Sequence, residues 1–146
     1  MSSTAAPENP LALDQQVCFA LYSASRAVTA AYRPLLAPLG LTYPQYLVML
    51  ALWEQSPRTV RELGEALHLE SGTLSPLLKR MEANGLLTRE RSTDDERQVD
   101  VDLTAAGAHL RERALAVPAQ LNAATGIEPE TLAALRRACH ALIEES

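Results

Sequence analysis

Apolar residues recur every three or four positions along most of the chain, which is the spacing of one face of an α-helix. The pattern predicts six helices, over 13–32, 42–57, 59–68, 71–84, 105–123 and 129–144. Leu and Ala dominate these runs, and both residues favour helices. The sequence therefore predicts a mainly α-helical protein.

Local signals mark several helix ends. Thr42 is followed three residues later by Gln45, and Thr59 is followed by Glu62 at the same distance. Each pair can form a capping box, in which side chain and backbone satisfy one another at a helix start. Two prolines and a glycine in 34–40 predict that the first helix ends before this segment.

The apolar pattern changes from the helical period to alternation after Gly85. Two strand-like runs, 86–91 and 98–103, flank the polar turn "STDDER", and this arrangement predicts a β-hairpin. Two short helices with a tight connection come directly before it. Helix, turn, helix and hairpin in this order are typical of a winged helix-turn-helix.

Candidate DNA contacts lie on the second helix of this unit and on the hairpin. The N-terminal part of such a helix can enter the major groove, where small hydroxyls and cations suit base edges and phosphates. The candidates on the helix are Ser71, Thr73, Ser75, Pro76, Lys79 and Arg80. The hairpin adds Arg89, Arg91 and Arg97, together with Asp95, which is placed to brace Arg97.

Charge totals do not favour DNA binding. The chain has a net charge of −5 and a pI near 5.2, whereas phosphate contacts require Lys and Arg. Between 58 and 97 stand seven Lys or Arg against eight Asp or Glu. A solvated hairpin in a protein-interaction domain is therefore the alternative interpretation. The placement of the charges, and not their total, has to distinguish it from DNA binding.

Composition and targeting signals narrow the class of protein. A length of 146 residues with 47% hydrophobic content suits one globular domain, preceded by a flexible tail over 1–11. We expect no secretory signal, no membrane partner and a cytoplasmic location. Cys18 and Cys139 form neither a disulfide scaffold nor a metal-binding pair, so we expect no metal and no cofactor.

Two stretches carry a family resemblance, "LTYPQYLVMLALWE" and "TVRELGEALHLESGTLSPLLKRMEANGLLTRERSTDDERQVDVDLTAAG". They resemble the MarR family of dimeric winged-helix repressors, and the resemblance covers about 12–144. It implies one domain over 12–146 with a DNA-binding winged helix at about 42–104. It also implies that helices at about 13–33 and 105–144 interlock two chains, and that the homodimer reads a pseudo-palindromic operator in double-stranded DNA with Arg97 in the minor groove.

Within that family the N-terminal region is most similar to the organic-hydroperoxide-sensing (OhrR) branch. The matching residues are Cys18, Tyr32 and Tyr43. Cys18 and Tyr32 share a helix face but stand ~21 Å apart along it, so they cannot touch within one straight helix. The resemblance implies that both tyrosine hydroxyls reach the sulfur across the dimer and stabilise the thiolate that attacks a peroxide. Cys139 is then either a resolving thiol or core filler.

The resulting expectation is a redox-sensing repressor and not an enzyme. Organic hydroperoxides would oxidise Cys18 and release the operator. Two alternatives stay open from the sequence. One is a repressor released by a phenolic or drug-like ligand, and the other is a thiol peroxidase that uses Cys18 catalytically.

Overall fold

The computed structural model of the chain describes residues 9–145. Within that range the helices are α1 (Val17–Leu36), α2 (Tyr43–Glu54), α3 (Val60–Leu67), α4 (Ser71–Ala83), α5 (Ala105–Ala114), α6 (Val117–Thr125) and α7 (Pro129–Glu144). The strands are β1 (Arg58–Thr59), β2 (Leu87–Arg91) and β3 (Val99–Leu103). Most of the tail predicted over 1–11 lies outside the described residues. The fold is mainly α-helical with the predicted hairpin between α4 and α5.

The hairpin strands belong to a three-stranded antiparallel sheet with the order β1-β3-β2. Leu87 pairs with Leu103 across the hairpin, and Arg58 pairs with Val101 on its other side. Val101 is fully buried, which places the apolar side of the central strand against the helices. The two-residue strand β1 was not predicted, because so short a segment carries no periodic signal.

The main core lies inside the winged-helix unit. Its fully buried side chains come from α2, α3, α4 and the sheet, and include Met49, Leu52, Leu63, Leu74, Leu78, Met81, Leu87 and Val101. Burial of each such side chain contributes ~1.5–3 kcal/mol of transfer free energy. This core therefore fixes how α4 and the hairpin stand relative to one another.

Both predicted capping boxes are confirmed. At the start of α2, the Thr42 N–H donates to the Gln45 side chain at 3.1 Å and the Gln45 N–H donates to the Thr42 hydroxyl at 3.3 Å. At the start of α3, Thr59 and Glu62 exchange the same two bonds at 2.9 and 3.0 Å. These bonds fix the first residue of each helix.

The predicted bounds of the first helix were wrong at both ends. A short 3-10 turn occupies Leu13–Gln15, so that α1 begins at Val17 and runs on to Leu36. Pro34 does not end the helix, which continues through it to Leu36 although a proline has no N–H for the Ala30 carbonyl and its ring crowds that carbonyl. The chain instead turns after Leu36, where Gly40 adopts a left-handed φ of 71°.

The single helix predicted over 105–123 was also wrong, because the chain forms α5 and α6 with a break at 115–116. Pro118 is the second residue of α6. In an unbroken helix its ring would meet the carbonyl of Ala114, and it has no N–H to continue the hydrogen-bond ladder. After the break, α6 packs against α1.

Large apolar side chains remain exposed on the first and last helices. On α1, Val17 is 72% exposed and Tyr22 is 61% exposed, and Leu142 on α7 is 58% exposed. No residue of α7 is buried. Among residues 9–145 no single helix is long and apolar enough to cross a membrane, although the pair Val17–Leu39 and Tyr43–Glu54 meets the length and composition of a span across a bend of 68°.

A close backbone approach joins α5 to the hairpin. A Cβ on Gly107 would lie 2.1 Å from the carbonyl oxygen of Leu86, so only glycine fits. The Trp53 indole N–H donates to the Gly107 carbonyl at 2.9 Å, and the Thr104 hydroxyl donates to the Gly85 carbonyl at 2.6 Å. These contacts tie α2, α5 and the start of β2 together, and we call them the Gly107 junction.

We expect Gly107→Ala to lower the free energy of unfolding by ~1–3 kcal/mol or more, because backbone has to move to admit the methyl group. Urea denaturation at matched protein concentration measures this. Gly72→Ala on α4 is the control, since its added Cβ meets nothing within 4 Å and alanine favours a helix. Equal stability of the two variants would contradict the tight junction.

Candidate DNA-reading surface and thiol sensor

The turn between α3 and α4 sets the direction of the second helix. His68 ends α3 in the left-handed region with φ 57°. The Leu69 N–H then donates to the Gly64 carbonyl at 2.9 Å, and a Cβ on Gly64 would lie 2.7 Å from the Leu69 oxygen. Because the turn is this tight, α4 is held at a fixed angle to α3.

The buried and exposed sides of α4 are clearly separated. Leu74, Leu78 and Met81 are fully buried and anchor the helix. All six predicted contact residues of this helix are exposed, namely Ser71, Thr73, Ser75, Pro76, Lys79 and Arg80. The helix thus presents hydroxyls near its N-terminus and two cations one turn later, which is an arrangement that suits a DNA groove.

A cleft of about 490 Å³ lies between α4 and the hairpin. Five predicted residues line it together, namely Ser71, Ser75, Arg89, Asp95 and Arg97. The other five predicted residues lie outside its lining, and these are Thr73, Pro76, Lys79, Arg80 and Arg91. The structure therefore brings the helix and the hairpin tip to one surface.

Arg61 was not predicted at this surface, but its side chain also lines the cleft. It pairs with Glu65 at 3.2 Å, and both side chains are largely exposed. An exposed pair of this kind is weak, so the guanidinium can exchange its partner for a phosphate. Its position in the first turn of α3 was the signal that could have identified it.

The tip of the hairpin holds Arg97 out in solvent. Its side chain is 95% exposed. Asp95 accepts a hydrogen bond from the Arg97 N–H at 3.0 Å, and its carboxylate stands 3.9 Å from the guanidinium, as the sequence predicted. Arg91 donates to the Glu96 carbonyl at 2.9 Å and closes the loop from its base. The loop is thus braced while its foremost cation projects.

Arg89 has its charge engaged within the chain. Its guanidinium contacts the Glu82 carboxylate at 3.1 and 3.2 Å, and its backbone N–H donates to the same group at 3.1 Å. These bonds, with the backbone bond first, hold the pKa of Glu82 below its usual range. Arg89 therefore clamps α4 to β2, which is a structural role beside the predicted DNA contact.

Cys18 is the second residue of α1, and its side chain is exposed. Tyr32 is on the same helix, fourteen residues further on, and this spacing separates them by ~21 Å. Among residues 9–145 no hydrogen bond joins the thiol to either predicted tyrosine. Within one chain the thiol therefore lies at the start of α1, and the two phenols lie near the end of that helix.

The two predicted tyrosines stack on one another and on a third that was not predicted. Ring centroids are 4.6 Å apart for Tyr32 and Tyr43, and 5.5 Å apart for Tyr32 and Tyr46. Within the described residues none of the three hydroxyls makes a hydrogen bond. Burial, with a smaller effect of the neighbouring phenols, raises the pKa of Tyr32 to about 12, and burial also raises that of Tyr43. Both phenols therefore keep their protons at neutral pH and can donate.

Cys139 is partly buried on α7 and is a free thiol, as is Cys18. Its helix also carries the exposed side chains of Leu135 and Leu142. In the part of the chain that the structure covers, no group of three or more His, Cys, Asp or Glu residues is arranged to hold a metal ion.

A second cleft, of about 310 Å³, lies between α2, α5 and α6. Its walls are mostly apolar, and two charged residues join them: Tyr46, Leu50, Trp53, Glu54, Arg111, Ala114, Leu115 and Pro118. Tyr46 therefore stands between this cleft and the other two tyrosines. Such a cleft can hold a small aromatic molecule.

Comparison with known proteins identifies relatives along most of the chain. Residues 30–113 match the family described as "Transcriptional regulator SarA/Rot". The organic hydroperoxide resistance transcriptional regulator of Bacillus subtilis (strain 168) is 48% identical over 132 residues, which cover 90% of each chain.

Solved structures of AbfR from Staphylococcus epidermidis are similar to this fold. The overoxidized form bound to DNA has a TM-score of 0.75 at 36% identity, covering 92% of this chain and 95% of that one. The reduced form bound to DNA has a TM-score of 0.72 at 37% identity, covering 90% and 92%.

We expect Glu82→Gln to reduce stability at neutral pH and to flatten the loss of stability in acid. The folded state lowers the pKa of Glu82, so the contribution of its carboxylate is present above the ordinary pKa and disappears as pH falls through the lowered one. Urea unfolding at neutral pH and at about pH 3 measures the difference. Glu65→Gln, at the exposed pair with Arg61, is the control; a gap between wild type and Glu82→Gln that persists in acid would contradict the clamp.

Proposed function

Because the chain belongs to the MarR family of winged-helix transcriptional regulators, we propose that it is a DNA-binding repressor that leaves its operator when an organic hydroperoxide oxidises Cys18. The main observation in support of peroxide sensing is the stacked pair of Tyr32 and Tyr43. Their hydroxyls are protonated donors without a partner in the described chain, while the thiol that would accept from them is exposed at the far end of α1.

DNA reading is assigned to the surface formed by α4 and the hairpin. Hydroxyls of Ser71 and Ser75 face the same cleft as Arg97, so one rigid unit can contact a major groove and the adjoining minor groove. The overall charge of −5 does not prevent this, because it describes the whole chain, whereas Lys79 and Arg80 are exposed on α4 and the Arg97 side chain is 95% exposed at the hairpin tip. Binding then depends on a few placed cations and should be sensitive to salt.

In a homodimer the thiol of one chain can lie close to the phenols of the other. If two α1 helices pair antiparallel about a two-fold axis, Cys18 of each chain comes to the Tyr32 end of the other. The exposed apolar residues of α1 and α7 supply the surface that such a pairing would bury. Two reading heads related by the same axis fit a pseudo-palindromic operator.

The proposed chemistry is a two-electron oxidation of the thiol. The Cys18 thiolate attacks one oxygen of the hydroperoxide, an S–O bond forms and the O–O bond breaks. The alkoxide that leaves takes a proton and departs as an alcohol, so the peroxide is reduced while the cysteine becomes a sulfenic acid. Hydrogen bonds from Tyr32 and Tyr43 favour the attacking thiolate. The apolar neighbours Val17 and Phe19 favour an organic group on the peroxide.

Oxidation acts on DNA binding through the dimer. A sulfenic acid in place of the thiolate changes what the two phenols can bond, and this shifts α1 against the head that carries α4. A coupling of ~1–3 kcal/mol would change operator affinity about five- to 150-fold. The sulfenic acid can condense with Cys139 or with a small thiol, which forms a disulfide and releases water. The protein is a stoichiometric switch in this scheme.

A second candidate function is supported by the cleft between α2, α5 and α6. Its apolar walls, with Arg111 among the lining residues, would suit a small phenolic or aromatic carboxylate ligand. Ligand binding there would release the operator without any chemistry at Cys18.

We expect the operator complex of the wild type to dissociate on treatment with cumene hydroperoxide, whereas that of Cys18→Ser stays bound. Mobility shift measures release, and mass spectrometry of the same samples reports the oxidation state. Because AbfR was solved on DNA in an overoxidized form, the peroxide is added at one equivalent per thiol. Cys139→Ser is the matched cysteine control.

Release of Cys18→Ser by the peroxide would overturn the sensing role. Release of both variants by salicylate in the absence of peroxide would favour the ligand-responsive repressor. Continued consumption of peroxide over many turnovers would favour an enzyme.

We expect Arg97→Ala to weaken operator binding about tenfold or more, since the projecting guanidinium is lost, while the free energy of unfolding stays within ~0.5 kcal/mol of wild type. Fluorescence anisotropy with a labelled operator at several salt concentrations measures this. Arg136→Ala on α7 removes a cation far along the chain from the hairpin and serves as the control. Equal affinities of the two variants would remove Arg97 from the reading surface.

A further inference from the structure

Tyr46 is the third member of the tyrosine cluster and the most buried of the three. Its side chain is 2% exposed. Its ring centroid lies 5.5 Å from that of Tyr32 and 6.5 Å from that of Tyr43, with tilts of 45° and 40°. At these distances the rings are in contact range for tilted aromatic pairs. Tyr46 therefore supports both of the other rings at once.

Tyr46 lies in the first turn of α2, directly after the capping box. Tyr43 is the first residue of α2 and Tyr46 follows three residues later on the same face. The Tyr46 N–H donates to the Thr42 carbonyl at 2.9 Å, within the capping box of Thr42 and Gln45. Tyr32 belongs to α1, so the position of its ring depends on the contact that it makes with the Tyr46 ring of α2.

We propose that Tyr46 is a positioning residue of the peroxide sensor, whose ring holds the phenols of Tyr32 and Tyr43 in the orientation that reaches Cys18 of the partner subunit. This inference rests on the function proposed above. It assigns the role to the ring, because the ring of Tyr46 lies within contact range of both other tyrosine rings.

The physical reason is that the hydrogen bonds from Tyr32 and Tyr43 to the sulfur tolerate only small displacements of the two rings. A side chain of leucine size at position 46 would leave a gap beside Tyr32, and the ring could tilt into it. A displacement of about 1 Å at a reacting group can cost up to ~100-fold in rate. Tyr46 is not among the residues that line the cleft between α4 and the hairpin, so its substitution removes no contact of the reading surface itself.

The test measures the second-order rate of Cys18 oxidation by cumene hydroperoxide in the full-length reduced protein. We expect Tyr46→Leu to lower the rate about tenfold, with operator affinity of the reduced form within about twofold of wild type. Tyr46→Phe keeps the ring and should stay within about twofold of the wild-type rate. Leu52→Ala makes a cavity later in α2, and should leave the rate unchanged despite its lower stability.

A double-mutant comparison separates positioning from general damage. If Tyr46 acts through the two phenols, Tyr46→Leu should add little further slowing to the variant Tyr32→Phe with Tyr43→Phe. Full additivity, a wild-type rate for Tyr46→Leu, or equal slowing by Tyr46→Phe or Leu52→Ala would each overturn the inference. These results leave the proposed function standing, because that function is tested separately by whether Cys18→Ser still releases the operator under peroxide.

Discussion

The backbone contact between Gly107 and Leu86 is the constraint on which the rest of the structure depends. With the indole of Trp53 bonded to the Gly107 carbonyl, it locks the start of α5 against the hairpin and against the end of α2. The same helix α2 carries Tyr43 and Tyr46 at its other end. One rigid helix therefore connects the tyrosine cluster to the unit that carries the reading surface, and a shift at one end cannot be absorbed locally in a densely packed core.

The positions of individual charged residues matter more in this protein than the net charge does. The chain is acidic overall, yet its hairpin tip projects Arg97 into solvent, and α4 exposes Lys79 and Arg80. Glu82 meanwhile serves to hold Arg89 and so fixes α4 to β2. A count of charges in the sequence treats Arg89 and Arg97 alike, whereas the Arg89 side chain is only 28% exposed and holds Glu82, and the Arg97 side chain is 95% exposed at the hairpin tip.

Local features of the fold could be predicted because their causes are local. The capping boxes at Thr42 and Thr59 depend on residues three apart, and the hairpin follows from alternation within five residues. The errors arose where a single proline was weighed wrongly. Pro34 was given too much influence, since α1 continues past it to Leu36. Pro118 was overlooked in a run with good helical spacing, although it stands in the first turn of a new helix. Strand β1 exists only because β3 offers it a partner.

The sequence by itself determined the winged-helix order, the exposed hydroxyls and cations of α4, and the family resemblance that singled out Cys18, Tyr32 and Tyr43. These are properties of spacing and residue type. Only the tertiary structure decided that Arg89 is paired, that Arg61 joins the reading surface and that Tyr46 supports the two other tyrosines. Those facts depend on how helices distant in sequence pack, and a periodic pattern specifies which face of a helix is buried but not which neighbour buries it.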